Sequence, residues 1–195
     1  TAITIYKIVS KYNSRWSLIA TIFYLANPAL VFNSSVMGQV DGILTFFLLY
    51  STYLLLELKK TFAWSITSAI ALLIKPQGLA IFPIIFIYLF KNFPFQKLYF
   101  ILLIPLLMVV FSIPFFTNNS ILGLFHLFQK SVSIYPYTSI FSYNFWSFAG
   151  FWISDSIKFI GITYQIWGLV LFCMTILLVI FPLIKKTVLS RMNLD

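Results

Sequence analysis

Long apolar stretches interrupted by short polar breaks run through most of the chain. A helix needs about 20 apolar residues to cross the hydrocarbon core of a bilayer. On that measure the pattern predicts helices over about 16–36, 43–58, 98–115 and 161–184. The first is punctuated by Asn27-Pro28 and followed by the polar turn from Ser34 to Gly42. The stretch from Phe62 to Phe90 is apolar except for Lys75-Pro76-Gln77-Gly78. Proline disfavours helical geometry at the residue before it, so two short helices are expected there, about 62–75 and 78–90. Each is short for a full span, and the break between them would be sunk into the protein. Non-helical backbone at that depth is tolerated only when buried in protein or lining a wet cavity.

Between the fifth and sixth of these helices lies the segment from Phe116 to about Ile160, too long for a mere connection. It carries Asn118-Asn119-Ser120, His126, Tyr135-Pro136-Tyr137, Asn144-Phe145-Trp146, Phe151-Trp152 and Ser154-Asp155-Ser156. Such a density of rings suits a bilayer interface; stacking on a sugar is the other use of it. The expected fold class is all-α: a polytopic transmembrane protein of six helices, some short or broken, with an aromatic-rich outer loop.

Composition and charge narrow the class. Of the 195 residues 61% are hydrophobic and 9% charged, against about 45–50% and 25% in soluble domains. That leaves too little polar surface to cover a soluble globule. The single cysteine, Cys173, excludes a disulfide framework and zinc-finger spacing. The net charge of +9 raises nucleic acid as a partner, but the cations are spread in clusters separated by apolar segments. That alternation reads as the positive-inside rule, and no nucleic-acid partner is expected. With six passes, Lys7, Lys11, Arg15, Lys59, Lys60, Lys91, Lys97, Lys185, Lys186 and Arg191 fall inside. Lys75, Lys130 and Lys158 fall outside, with Asp41 and Asp155. The first residues hold no signal peptide, and a chain starting at Thr1 suggests part of a longer protein. The expectation is one transmembrane domain over 1–195, lacking an N-terminal helix and a first outer loop.

The conspicuous polar residues gather on one side: Gln39, Asp41, Lys75, Gln77, His126, Asn144 and Asp155. Asp41 stands before an apolar helix, where it could cap the orphan N–H groups or, with Gln39, hold a sugar. Lys75 could compensate a helix C-terminus and snorkel to the surface, or bind a lipid-linked phosphate as a point charge with Gln77 beside it. His126 lies in an amphipathic interfacial stretch, as a solvated or structurally bonded histidine or as a catalytic one. No metal cluster, P-loop or dinucleotide fingerprint is present.

Taken in order, Asn27-Pro-Ala-Leu-Val-Phe-Asn-Ser-Ser-Val-Met-Gly-Gln-Val-Asp-Gly42, Lys75-Pro-Gln-Gly-Leu79, Tyr135-Pro-Tyr-Thr-Ser139 with Tyr143-Asn-Phe-Trp146, and Ser154-Asp-Ser156 before Tyr164-Gln-Ile-Trp-Gly168 resemble a known set of motifs. They are similar to those of bacterial and archaeal mannosyltransferase-like proteins related to the eukaryotic GPI mannosyltransferases, in the GT-C class of glycosyltransferases. The resemblance spans about residues 20–170. It implies an inverting membrane enzyme that passes a mannose-like hexose from a polyprenyl-phosphate donor to a lipid-linked or protein acceptor at the outer face. The location it implies is the plasma membrane, or the endoplasmic reticulum membrane in a eukaryote. By that resemblance Asp41 is the candidate catalytic carboxylate, with the class's main general base expected upstream of Thr1. Gln39, Lys75, Gln77, His126, Asn144 and Trp146 become candidate substrate contacts, and a cation or divalent metal ion would stabilise the departing phosphate. The competing class is a transporter or flippase of lipid-linked glycans, which would also hide ionisable groups behind broken helices but should carry inverted repeats; none is visible. A structural membrane subunit would leave the Gln-x-Asp and Lys-Pro-Gln motifs without a use.

Overall fold

The computed structural model describes residues 1–116, 120–140 and 145–192, and the chain is mostly helical over them. It divides into two compact units. The first comprises Thr1–Phe82 and Asn92–Ser120, the second Pro83–Lys91 and Ile121–Asp195.

In the first unit, α1 (Ala2–Ser10) leads into α2 (Ser14–Leu25). The Asn13 side chain starts α2 by accepting from the N–H groups of Arg15 and Trp16 at 3.0 and 3.2 Å. Asn27 repeats this device at α3 (Pro28–Val31), accepting from Ala29 N–H at 2.9 Å, with Pro28 in the first turn where its missing N–H costs nothing. The single helix expected over 16–36 is therefore α2, bent by 44° at Asn27-Pro28, then α3, then a π-helical turn over Phe32–Val36. Next come α4 (Asp41–Leu56) and α5 (Thr61–Ile74), packed on each other, and α7 (Tyr99–Ser112), packed on α5. The predicted break holds. Lys75 is extended (φ −151°, ψ 121°) ahead of Pro76, and a 3-10 turn follows over Pro76–Ile81.

Much of what is buried here is small and hydroxylated. Ser17, Ser51, Ser65, Ser68 and Ser112 lie inside among Leu54, Leu55, Trp64, Ala69, Ala71 and Leu72, with Ser65 at 0% exposure. Ser65 Oγ donates to the Phe100 carbonyl at 2.7 Å and so ties α5 to α7. Other large apolar residues face outward, as with Leu102 at 72%.

The second unit holds α6 (Phe82–Asn92), α8 (Ser120–Ser133) and α9 (Tyr164–Met192). Within α9, Tyr164–Lys185 is long and apolar enough to cross a membrane. At about 1.5 Å per residue its 22 residues cover about 33 Å. Among the described residues it is the one unbent helix that passes this test; Asp41–Leu56, Thr61–Ile74 and Tyr99–Phe115 are apolar but shorter.

One element was not anticipated. Lys158–Phe159 (β1) pairs antiparallel with Ile162–Thr163 (β2). The two residues between, Ile160 and Gly161, both have positive φ (53° and 79°), as the tight primed hairpin turns require. Gly161 takes that conformation freely, whereas a β-branched residue there is strained. Ile160 is 77% exposed, so its side chain gains little packing in return. Ile160→Asn should therefore stabilise the hairpin by about 1 kcal/mol. Slower amide exchange of the strand N–H groups would register the gain; unchanged or faster exchange would contradict it.

Candidate functional site

Three backbone interruptions of the first unit meet at one place. The π-helical turn over Phe32–Val36 carries Asn33, and the loop after it returns as the Gln39 N–H donates to the Asn33 carbonyl at 3.1 Å. α4 then begins at Asp41. α5 ends at Ile74, and Pro76 holds Lys75 extended instead of helical. Gly78, buried in the following turn, permits the close approach: a Cβ there would meet Leu48 and Leu72 methyls at 3.3 Å. The turn thus packs against α4 and α5, and Lys75 is delivered to the start of α4.

The Lys75 ammonium donates to Asp41 Oδ1 as an ion pair. The Asn33 amide Nδ2 donates to the other carboxylate oxygen at 3.2 Å. Asp41 is the first residue of α4, and no side-chain cap is formed there. The N-cap reading of Asp41 is therefore corrected. Its oxygens are taken by two side chains, not by the first N–H groups of the helix. Asp41 precedes the apolar run that begins at Ile43. The Lys75 ammonium first, and the Asn33 amide second, hold its carboxyl below the usual carboxylate range. A carboxylate of lowered proton affinity is a weak base and a good hydrogen-bond acceptor.

Neither partner is sealed off. The Lys75 side chain is 32% exposed and that of Asp41 36%, so an incoming anion could reach the ammonium without unfolding the turn. Lysine offers three donors, and one is used on Asp41.

The other sequence candidates are distributed differently. Gln39 and Gln77 are both exposed, in the segments that carry the pair. His126, on α8, is exposed with its ring edge to Phe125 at 6.3 Å. Trp146 sits in the 3-10 turn Phe145–Phe148 and meets Tyr164 edge-on. His126 and Trp146 belong to the second unit. Asn144 lies outside the described residues, as do Asn118 and Asn119. Asn33 is the participant that sequence reasoning missed. Its only signal is a polar side chain eight positions before Asp41, which helical or strand periodicity does not bring into register.

As for a divalent metal, among the described residues no three His, Cys, Asp or Glu side chains come together. Asp41 is matched by an ammonium and an amide, where a hard cation would require several further oxygen ligands. The donor set does not fit a metal, and the positive charge of this site comes from Lys75.

No protein-family model, curated protein or solved structure matches this chain. A thermodynamic cycle isolates the pair. Asp41→Asn and Lys75→Met should each lower the unfolding free energy, and the double variant should lose less than their sum. The coupling, for groups this exposed, should be about 1 kcal/mol, read by denaturant unfolding in detergent. With the Asp41 carboxyl held low, that contribution is complete above the ordinary carboxylate range and is lost as pH falls below that range, through the lowered folded-state value. Strict additivity at neutral pH would show the two groups to be energetically independent.

Proposed function

We propose that this chain is a multi-pass membrane protein of the glycosyltransferase type, in which Lys75 receives the phosphate of a polyprenyl-phosphate sugar at the outer face. The observation that carries the reading is a part-exposed ammonium set at a helix break and held in place by Asp41. A charge near membrane depth is costly and is kept where it has work to do.

The chemistry follows from the pair. The donor phosphate takes the unused donors of Lys75 and competes with Asp41 for the third. As the acceptor hydroxyl oxygen bonds to the anomeric carbon and loses its proton to water at the outer face, the bond from that carbon to the phosphate oxygen breaks and negative charge grows on the departing phosphate. Lys75, already aimed there, stabilises the growing charge more than it stabilised the donor. Asp41, a weak base, accepts a hydrogen bond from a sugar hydroxyl and so orients it. The isoprenoid tail stays in lipid throughout.

Supporting the membrane half of this reading are the outward-facing leucines and buried serines of the first unit, the apolar span in α9, and the asymmetry of the cations. With Glu57 near the inner end of α4 and Asp41 near the outer end, the helix would carry one carboxylate at each face. Glu57 is paired there with Lys11 at 2.6 Å.

Topology is tested by single cysteines at Lys59 and Gln39, in a Cys173→Ser background, treated with an impermeant thiol reagent. Labelling of the Gln39 position alone from outside is expected; equal outside labelling of both would sink the six-pass arrangement. Donor recognition is tested in nanodiscs with a polyprenyl-phosphate hexose. Lys75→Met should weaken donor binding roughly 10- to 100-fold, the scale of a hydrogen bond to a charged group, and slow release of polyprenyl phosphate. Unchanged affinity would reduce Lys75 to a structural partner of Asp41. Movement of intact donor across the bilayer without sugar transfer would favour a flippase.

A further inference from the structure

The end of the first unit away from the Asp41–Lys75 pair gathers cations. Glu57 follows the last residue of α4, about 24 Å along the helix from Asp41 at 1.5 Å per residue. Three turns far apart in sequence meet there. The Lys11 ammonium, in the turn from α1 to α2, donates to Glu57 Oε2 at 2.6 Å, and the Tyr12 hydroxyl donates to Oε1 at 3.4 Å. Lys59 and Lys60 lie in the turn from α4 to α5, which closes as Lys60 N–H donates to the Leu54 carbonyl at 2.9 Å. The start of α7 joins them, because Phe62 meets Phe100 edge-on at 6.3 Å and Ser65 Oγ donates to the Phe100 carbonyl. That brings in Lys97, in the 3-10 turn just before α7.

Lys7, one helical turn before Lys11, and Arg15, in the first turn of α2, flank the same place. Six exposed cations therefore stand against one carboxylate, Glu57, which leaves five positive charges unbalanced. Gathering like charges costs electrostatic work that one carboxylate does not offset. The backbone bears a cost as well. Lys59 has φ 55° just past the end of α4, a left-handed conformation that glycine takes freely and a side chain strains. A surface assembled at such expense calls for an anionic partner.

The surroundings decide which one. Along α2 the exposed residues run Arg15, Trp16, Leu18, and from the turn before α7 they run Lys97, Tyr99, Leu102. Both helices thus present a cation, then an amphipathic ring, then an aliphatic side chain. That is the order of phosphate, interface and hydrocarbon met on entering a bilayer, where Trp and Tyr sit at headgroup level. A nucleic acid or an acidic protein would match the charge but would meet the leucines with a polar surface.

We infer that this end of the first unit is a docking surface for anionic phospholipid headgroups. Their phosphates take the ammonium and guanidinium groups, while Trp16 and Tyr99 lie at the level of the glycerol backbone. This rests on the membrane half of the proposed function and adds selection of lipid neighbours by charge. Cation asymmetry along a chain sets which way it faces; the convergence of three separate turns turns it into a lipid-selective surface.

The test uses the full chain in phosphatidylcholine bilayers with a trace of spin-labelled phosphatidylglycerol or spin-labelled phosphatidylcholine. Electron paramagnetic resonance gives the share of each label whose motion the protein restricts. Phosphatidylglycerol should associate about fivefold more strongly, the scale of one cation near an anionic surface, and the preference should fade at about 1 M salt. Arg15→Gln, Lys60→Gln and Lys97→Gln together, one cation from each turn, should bring the two lipids to parity. Lys130→Gln with Lys158→Gln, which removes charge from the second unit, should leave the preference intact. Should the triple variant fail to fold, Lys59→Gly, which relaxes its own backbone and removes one cation, should lower the preference without loss of stability. Equal restriction of the two lipids by the unaltered chain would overturn the proposal, as would a preference that survives the triple replacement or persists at high salt. Equal restriction joined to capture of a single-stranded oligonucleotide in detergent would assign the surface to nucleic acid instead. Absence of any restricted lipid would overturn the membrane reading and this surface with it, whereas equal restriction sinks the surface alone.

Discussion

Opposite charges at the ends of two neighbouring apolar helices, Asp41 at the start of α4 and Lys75 just past α5, meet because every local element around them is bent to allow it. Pro76 keeps Lys75 out of the helix, Gly78 lets the returning turn press onto Leu48 and Leu72, and the π-turn swings Asn33 round to the free carboxylate oxygen. Without the pair, two charged groups would stand at the mouths of apolar helices, Asp41 with only the Asn33 amide as a protein partner. With it they form a neutral, oriented unit, open on one side.

Much of this was written in the sequence, though unevenly. The helices expected over 43–58, 62–75 and 161–184 emerged as Asp41–Leu56, Thr61–Ile74 and Tyr164–Met192, because long apolar runs and lysine-marked ends are local signals. The break at Lys75 was legible for the same reason, as proline constrains its neighbour directly. The pairing of Asp41 with Lys75 was not. Each was singled out by itself, but 34 positions separate them and no periodicity joins residues that far apart. Asn33 was hidden by the π-turn, whose wider winding shifts side chains off the helical register. The β-hairpin escaped notice because Ile-Gly is a poor turn signal, and the strain at Ile160 is the reason it is poor.

The interior of the first unit follows a logic that composition alone could not reveal. Serines sit deep inside; the hydroxyls of Ser17, Ser51, Ser65 and Ser112 return to a carbonyl three or four residues back on their own helix, and Ser65 reaches the next helix as well. Small residues let backbones approach closely, and hydroxyls satisfied at home cost little when buried. Many of the leucines and phenylalanines, which drive burial in water, face the surroundings, among them Leu18, Phe23 and Leu102. Under the proposed membrane reading the surroundings are themselves apolar, and shape and hydrogen bonding would hold the helices together.

On the proposed multi-pass reading, the order in which the ribosome makes the chain gives the Asp41–Lys75 pair one more consequence. α4 is synthesised before α5, so for a time its leading carboxylate has no ammonium to meet. Carrying a lone Asp or Lys across the bilayer centre costs about 2.5–3.5 kcal/mol on insertion scales. If α4, the Glu57–Lys60 turn and α5 enter as one hairpin, the two charges can travel neutralised by each other, while Lys59 and Lys60 stay behind as the anchor. Biogenesis of this region would then be cooperative over the whole hairpin. A lesion at Lys75 would impair the insertion of a helix completed before that lysine was made.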